Sequence, residues 1–168
     1  MEIRRTTTNI GKNLTVALKH LDGLTGKVGW FHDAKYTDAG EYVAEIAAQN
    51  EYGNSSKHIP ARPFMRPTII AKQKQWLNAA AYLSGQVLEG KITAYDAMDT
   101  VAGNAENDVL RKINSIYEPA LAQSTINKRL ERYSPKGRFN KAQARSITKP
   151  LNDTGHMIAT LTHRVEKE

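Results

Sequence analysis

Three prolines within eleven residues restrict the backbone of this chain more than any other local feature. They are Pro60, Pro63 and Pro67 in the stretch HIPARPFMRPT, residues 58–68, which is called the strap below. Each proline fixes its own φ and disfavours helix in the residue before it, so the segment is pushed toward extended geometry. The sequence therefore predicts a stiff strap that leads into the following helix.

The composition limits the kinds of site that this chain can contain. A length of 168 residues suits one ordinary domain, and we expect a single domain over residues 1–168. The chain has no cysteine, which excludes disulfides, thiolate metal sites and cysteine nucleophiles. No apolar run approaches the roughly 20 residues of a membrane span, so no membrane partner is expected.

The net charge of +7 is concentrated in one part of the sequence. Residues 121–150 contain eight Lys and Arg but only one acidic residue, Glu131. Residues 124–149 are polar and poor in aliphatic side chains, and they predict a projecting basic insertion or arm. Candidate contacts to phosphates or to an acidic partner are Lys128, Arg129, Arg132, Lys136, Arg138, Lys141 and Arg145.

Hydrophobic spacing predicts a chain of helices with two short strands. The expected fold class is α+β, with a small antiparallel sheet packed against two long helices and shorter helices. The strand near residues 27–32 should pair with a C-terminal strand near residues 158–165. Helices are predicted over 10–21, over 39–50 with Gly53 as the stop, from Pro67 to about residue 89 before Gly90, and from a Thr93 cap to about residue 117.

Three patterns suggest chemistry, but their context favours structural roles. Asp153-Thr154-Gly155 is the aspartic-protease triplet, yet it follows a basic segment in a mainly helical chain, so a structural turn is expected. The evenly spaced glycines of GLTGKVG, residues 23–29, follow a helix and precede a strand, which is the wrong order for a phosphate loop. The five histidines show no metal-binding spacing, so neither a catalytic residue nor a metal or other cofactor is predicted.

Four stretches together resemble the neck and tail-completion proteins of long-tailed bacteriophages and Mu-like prophages. They are VGWF, YVAEIAAQNEYG, IPARPFMRPT and PLNDTGHMIATLTHRV, in that order along the chain. NEYG followed by IPARPF is the most specific piece, and PL-x-DTG before a strand is the second. The basic arm is longer than expected for this family.

The resemblance implies a non-enzymatic virion protein that forms a homohexameric ring in the phage neck, at the head-proximal end of the tail. Such a ring serves tail completion and head–tail joining, and it is made in the host cytoplasm during assembly. The implied partners are copies of itself, tail terminator or tail-tube proteins, head-completion or connector proteins, and packaged DNA in the channel. The implied interface residues are Arg62, Pro63, Phe64 and Arg66.

Within the strap, two residues carry the detailed expectations. Phe64 is expected to be buried, and Arg62 to pair with a carboxylate across a subunit boundary, so that Arg62→Ala would leave the monomer folded. The alternative is that the strap packs only within its own subunit. A different function also remains open, because the arm at 128–149 suits a nucleic-acid-binding accessory protein, with Tyr133 and Phe139 between the cations.

Overall fold

A computed structural model describes residues 23–36, 40–133 and 147–167 of the chain. These residues form five helices and one two-stranded antiparallel sheet, which confirms the predicted α+β class. The two strands are the two segments predicted to share a sheet. In chain order the elements are β1 (Leu24–Gly29), α1 (Val43–Tyr52), α2 (Met65–Leu88), α3 (Ala94–Ser115), α4 (Gln123–Tyr133), α5 (His156–Ala159) and β2 (Thr162–Lys167).

The described residues group into two compact units. The first takes residues 23–28, 71–107 and 162–167, and the second takes residues 29–36, 40–70, 108–133 and 147–161. Both long helices, α2 and α3, contribute residues to each unit. The helix predicted over residues 10–21 lies outside the described residues.

The core of the first unit lies where α2 meets α3. Val87, Ala94 and Ala97 are buried together, with the partly buried Leu24, Leu83 and Ile92 packed against them. The strand backbone comes close to α3 at Gly26, where a Cβ atom would lie 3.1 Å from Met98 Sδ and 3.3 Å from Ala102 Cβ. Gly26 therefore serves a close strand–helix contact, and the glycine-rich stretch forms β1 itself, which agrees with the rejection of a phosphate loop.

Both strands are displaced from their predicted positions. β1 begins at Leu24 and ends at Gly29, before the tryptophan that the prediction included. The predicted C-terminal strand was wrong over its first residues, because residues 156–159 form α5 and the strand begins only at Thr162. The Thr160 N–H and hydroxyl both donate to the His156 carbonyl, at 3.0 and 2.7 Å, and this helical turn replaces the expected extended geometry.

The helix ends predicted from local sequence agree with the structure at some positions and differ from it at others. Thr93 caps α3 as predicted: its hydroxyl accepts the Asp96 N–H at 3.1 Å, and the Asp96 carboxylate accepts the Thr93 N–H at 3.2 Å. The predicted start of α1 at residue 39 was too early, because Tyr42 is extended and forms a bridge with Lys35. Helix α2 begins before Pro67 instead of after it, since a proline is tolerated in a first turn.

The core of the second unit is formed by side chains from the strap, α1, part of α3 and the segment before β2. Its buried apolar side chains are Val43, Ala47, Phe64, Val109, Ile113, Ile116, Ile147, Leu151, Met157 and Leu161. The sequence predicted a projecting basic insertion or arm over residues 124–149, and the first part of this segment is a helix with a buried face. Residues 123–133 form α4, because Ile126, Arg129 and Leu130 make one buried or partly buried face, whereas residues 134–146 lie outside the described residues.

Two glycines that follow helices offer a matched test of this packing. Gly53 and Gly90 both have positive φ, 78° and 72°, as expected after α1 and α2. A Cβ at Gly53 would lie 2.9 Å from the Ala61 amide nitrogen, whereas a Cβ at Gly90 would meet nothing within 4 Å. We expect Gly90→Ala to lower the free energy of unfolding by about 1–2 kcal/mol through backbone strain. Gly53→Ala should lower it further, because the clash adds about 1–3 kcal/mol and because the Gly53 backbone, with φ of 78° and ψ of 167°, is in a region that is nearly exclusive to glycine.

Urea denaturation of the two variants measures this difference. Equal midpoints would contradict the close approach of the strap to the end of α1.

Candidate functional site

The strap presents its side chains alternately to the core and to the surface of the second unit. Arg62 and Phe64 are buried, whereas Ala61 and Pro63 are exposed. This alternation is the two-residue period of extended backbone, which the prolines favour. The exposed residues, with the flanking Tyr52 and Arg66, form the strap surface: Tyr52, Ala61, Pro63 and Arg66.

Phe64 anchors the strap in the core, as predicted. Its side chain is 1% exposed, and the ring meets Trp30 edge-on with 5.7 Å between the ring centroids. The Trp30 indole N–H in turn donates to the Met157 carbonyl at 2.7 Å. The aromatic pair therefore connects the strap to the segment that precedes β2.

Glu51 fixes the point where the strap becomes helical. Its carboxylate accepts the backbone N–H of Phe64 at 2.6 Å, of Met65 at 2.9 Å and of Arg66 at 3.1 Å. These amides open α2, where N–H groups have no intrahelical partner. The side chain of Glu51, near the end of α1, thus caps a second helix that begins 14 residues later.

Arg66 completes this capping arrangement from the exposed side. Its Nε donates to Glu51 Oε1 at 3.0 Å and its Nη2 donates to the Glu51 carbonyl at 3.1 Å. The guanidinium also lies 4.6 Å from the centroid of the Tyr52 ring. Burial alone would raise the pKa of Glu51, but the three amides and the Arg66 guanidinium outweigh it and hold that pKa below its usual range.

The expectation for Arg62 was wrong. Its guanidinium is already hydrogen-bonded within its own chain: Nε donates to the Pro119 carbonyl at 2.7 Å and Nη2 to the Ala120 carbonyl at 2.9 Å. The residue is 5% exposed, and burial lowers the pKa of its guanidinium. Arg62 holds the segment after α3, so Arg62→Ala should destabilise the fold instead of leaving it intact.

The predicted basic residues separate into different environments. Lys128 is exposed on α4, and Arg132 is exposed but lies 3.1 Å from the Asp153 carboxylate. Lys136, Arg138, Lys141 and Arg145 lie outside the described residues.

Arg129 is not a surface contact for phosphate. It is 7% exposed, and its Nη1 donates to the carbonyls of Ile147 at 3.1 Å, Lys149 at 2.9 Å and Asn152 at 3.0 Å. Its Nε lies 3.3 Å from Asp153 Oδ1. Burial lowers the pKa of the guanidinium. The buried guanidinium of Arg129 therefore stabilises the conformation of residues 147–153.

The Asp153-Thr154-Gly155 triplet forms a structural turn, as expected. Asp153 also accepts the Tyr133 hydroxyl at 3.1 Å, so its carboxylate joins this turn to α4. The Thr154 hydroxyl accepts the His156 N–H at 3.2 Å, and Gly155 has φ of 78° at the start of α5. The Asp153 carboxylate contacts Arg129, Arg132 and Tyr133, all from α4, and so joins the turn to that helix.

One histidine has partners that the sequence did not suggest. In the first unit, His163 Nδ1 lies 2.6 Å from Glu106 Oε2, and Nε2 lies 3.2 Å from Asp99 Oδ1. The hydrogen bond with Glu106 is the main reason that the pKa of His163 is raised, with Asp99 adding to it. The two carboxylates lie 57 and 64 residues earlier in the chain, so no local motif connects them to the histidine.

The described part of the chain contains neither a metal-binding cluster nor a helix that could span a membrane. Over residues 23–36, 40–133 and 147–167, no group of three or more His, Cys, Asp or Glu side chains could hold a metal ion. Within the same ranges, no helix has the length and apolar character needed to cross a bilayer.

Removing the charge of Glu51 tests the capping interaction. We expect Glu51→Gln to lower the free energy of unfolding at neutral pH by about 1.5–3 kcal/mol, because buried amides lose a charged acceptor. Since the folded-state pKa is lowered, the contribution is present above the ordinary pKa and is lost as the pH falls through the folded-state value. The stabilities of the wild type and of Glu51→Gln should therefore begin to converge only when the pH falls below the ordinary glutamate pKa, about 4.3.

Glu45→Gln is the matched control, because Glu45 is exposed on the same helix. Equal losses in the two variants would contradict the capping role of Glu51.

The pH dependence of the His163 contacts runs in the opposite direction. A raised pKa means that the contribution to stability is present below the ordinary histidine pKa and is lost as the pH rises through the folded-state value. We expect His163→Gln to lower the thermal midpoint of the protein more at about pH 6 than at about pH 9. Glu106→Gln should remove more of this pH dependence than Asp99→Asn, because Glu106 makes the shorter contact. A pH-independent loss would contradict this account.

Comparison with known proteins adds no relative: no protein-family model matches the chain, and neither a curated protein nor a solved structure is significantly similar to it.

Proposed function

We propose that this protein is a structural, non-enzymatic subunit of the neck of a long-tailed bacteriophage. In this proposal it forms a homohexameric ring at the head-proximal end of the tail and is needed for tail completion and head–tail joining. It is assembled in the host cytoplasm and remains in the virion. Its partners are copies of itself, tail terminator or tail-tube proteins, and head-completion or connector proteins, with packaged DNA in the channel.

The observation that carries the proposal is the contact between the two stretches with the most specific resemblance. NEYG supplies Glu51 and IPARPF supplies Phe64, and the carboxylate of the first accepts the amide of the second at 2.6 Å. The stretches are thus parts of one structural element, which makes their shared occurrence and spacing physically meaningful. Their joint occurrence at this spacing is what supports the proposal.

The strap surface is suited to an assembly interface. Pro63 is exposed between two buried anchors, Arg62 and Phe64, and the exposed Ala61 directly precedes Arg62, so both positions are fixed before any partner arrives. Binding to a preorganised surface avoids the entropy loss of ordering a loop. The aromatic ring of Tyr52, 66% exposed, adds apolar area at the end of this surface.

A charge placed on the strap surface tests the proposal. We expect Ala61→Glu to fold like the wild type but to fail in complementing a phage deleted for the gene, with free tails and filled heads visible by electron microscopy. Ala44→Glu is the matched control, because Ala44 is exposed at the start of α1, at the opposite end of that helix from Tyr52. Phe64→Ala should instead lower stability by about 3–5 kcal/mol, since it opens a cavity in the core.

Two results would contradict the assignment. One is absence of the protein from purified virions by mass spectrometry. The other is normal plaque formation by Ala61→Glu, which would remove the strap surface from the interface.

The second candidate is a nucleic-acid-binding accessory protein that acts through residues 128–149. The observation in its favour is the eight Lys and Arg against one Glu in residues 121–150. Two of those arginines, Arg129 and Arg132, are already engaged with carbonyls or with Asp153. If this candidate is correct, duplex DNA should bind with a steep salt dependence that is lost when residues 134–146 are deleted.

A further inference from the structure

Arg66 is the arginine of the strap surface, and its guanidinium is held in place by its own chain. Its Nε donates to Glu51 Oε1 at 3.0 Å and its Nη2 donates to the Glu51 carbonyl at 3.1 Å. The group also lies over the Tyr52 ring, 4.6 Å from the ring centroid. Because the guanidinium is planar and rigid, these contacts define its orientation in the free subunit.

The terminal edge of this guanidinium is open. A guanidinium carries five N–H donors in a fixed fork, and the hydrogen bonds to Glu51 use the edge that Nε and Nη2 form. No described residue accepts a hydrogen bond from Nη1, and the Arg66 side chain is 53% exposed. The N–H groups at the end of the fork, on Nη1 and Nη2, are therefore available to a further acceptor.

This combination of exposure and fixed orientation distinguishes Arg66 from other arginines of the second unit. Arg62 and Arg129 are buried and donate to backbone carbonyls. Arg132 is exposed but pairs with the Asp153 carboxylate at 3.1 Å. Arg111 is 81% exposed, and its contact with Asp108 is long, at 3.7 Å. Arg66 presents an open edge without the freedom of an ordinary surface arginine.

The charges of the surrounding segment favour an acidic partner. Residues 51–66 contain one acidic side chain, Glu51, and its carboxylate is buried and accepts three amides at the start of α2. Lys57 is exposed in the turn that precedes the strap, next to the exposed His58. The exposed charges of this segment are therefore basic. A carboxylate has two oxygens at the spacing that the end of a guanidinium fork matches.

A nucleic-acid backbone also offers paired oxygens, but the strap surface fits it less well. Binding to phosphates gains its strength from several cations that release counterions together. Between His58 and Arg66 the exposed side chains are Pro60, Ala61 and Pro63, which carry no charge. An uncharged surface with a tyrosine and one fixed arginine is typical of a protein–protein interface, in which these two residue types are enriched.

We propose that the terminal edge of Arg66 binds a side-chain carboxylate of the protein that covers the strap surface. The partner presents this aspartate or glutamate beside an uncharged patch that meets Tyr52, Ala61 and Pro63. Arg66 thereby takes the role that the sequence assigned to Arg62. This inference rests on the proposed function, because it assigns the chemistry of the partner at that interface. Since the fork is already ordered, little side-chain entropy is lost when the partner binds.

Arg66→Lys tests the fork while the charge is kept. Lysine can still pair with Glu51, but it cannot bind a second carboxylate through a planar edge. Plating of the gene-deleted phage complemented with this variant should therefore fall about tenfold or more. Arg111→Lys is the matched control, because Arg111 is an exposed arginine of the same unit outside the strap surface, and it should plate like the wild type.

Stability measurements separate the interface from a role in the fold. The thermal midpoint of Arg66→Lys should fall by no more than about 4 °C, because a half-exposed ion pair contributes little. The plating defect should persist at reduced temperature, where a variant that is only destabilised recovers. Recovery of plating at reduced temperature would show that Arg66 acts through the fold alone, and would overturn the inference.

Acetate probes the open edge of Arg66 without any phage. The purified full chain is titrated with sodium acetate, against sodium chloride at the same ionic strength, and the arginine side chains are followed by nitrogen NMR. The Nη resonances of Arg66 should shift more than those of Arg111, because the fork of Arg66 is preorganised. Equal shifts would overturn the preformed carboxylate site.

The inference and the proposed function fail in different ways. Loss of head–tail joining in Ala61→Glu, together with normal plating of Arg66→Lys, would overturn the inference and leave the neck function standing. Normal plating of both variants would overturn the strap surface as an interface. A short DNA duplex should bind the wild type and Arg66→Lys equally. A tenfold weaker binding by the variant, or about that, would assign the fork to phosphate and overturn the inference.

Discussion

The carboxylate of Glu51 is the interaction on which the second unit depends. One side chain satisfies three successive amides at the start of α2, and it does so while only 4% exposed. A buried charge without such donors would be strongly unfavourable, and the amides without an acceptor would be unfavourable as well. The strap fits this arrangement because its prolines have no N–H group that needs a partner. The end of α1, the strap and the start of α2 therefore form one mutually dependent structure.

Two buried arginines also satisfy backbone groups, in segments that connect the helices and strands. Arg62 donates to the carbonyls of Pro119 and Ala120 beyond α3, and Arg129 donates to three carbonyls between Ile147 and Asn152. Carbonyls in such segments lack the partners that a helix would give them. Because these two cations serve the fold, the formal charge of +7 overstates the positive charge that is available to partners.

The sequence predicted the features that depend on local chemistry. Gly53, Gly90 and the Thr93 cap act through neighbouring residues, and the two strands were recognised by their composition. The targets of Arg62 and Arg129 were missed, because backbone carbonyls have no sequence signature. His163 was missed for a related reason: its two carboxylates come from one face of α3, and only the pairing of β1 with β2 against that helix brings them together. The α+β class is compatible with many activities, so an argument for function depends on particular residues instead of the fold.

The capping of α2 by Glu51 has a consequence for the order in which the protein folds. Its hydrogen bonds join residues 13–15 positions apart, whereas the Lys27–Glu166 contact between β1 and β2 joins residues 139 positions apart. Closing a short loop loses far less chain entropy than closing a long one, so contacts of low sequence separation form faster. During synthesis, the strap and its two helices can dock on one another while β1 still lacks its partner. The small sheet thus acts as the closing step of folding, and β1 is the segment exposed longest to misplaced pairing.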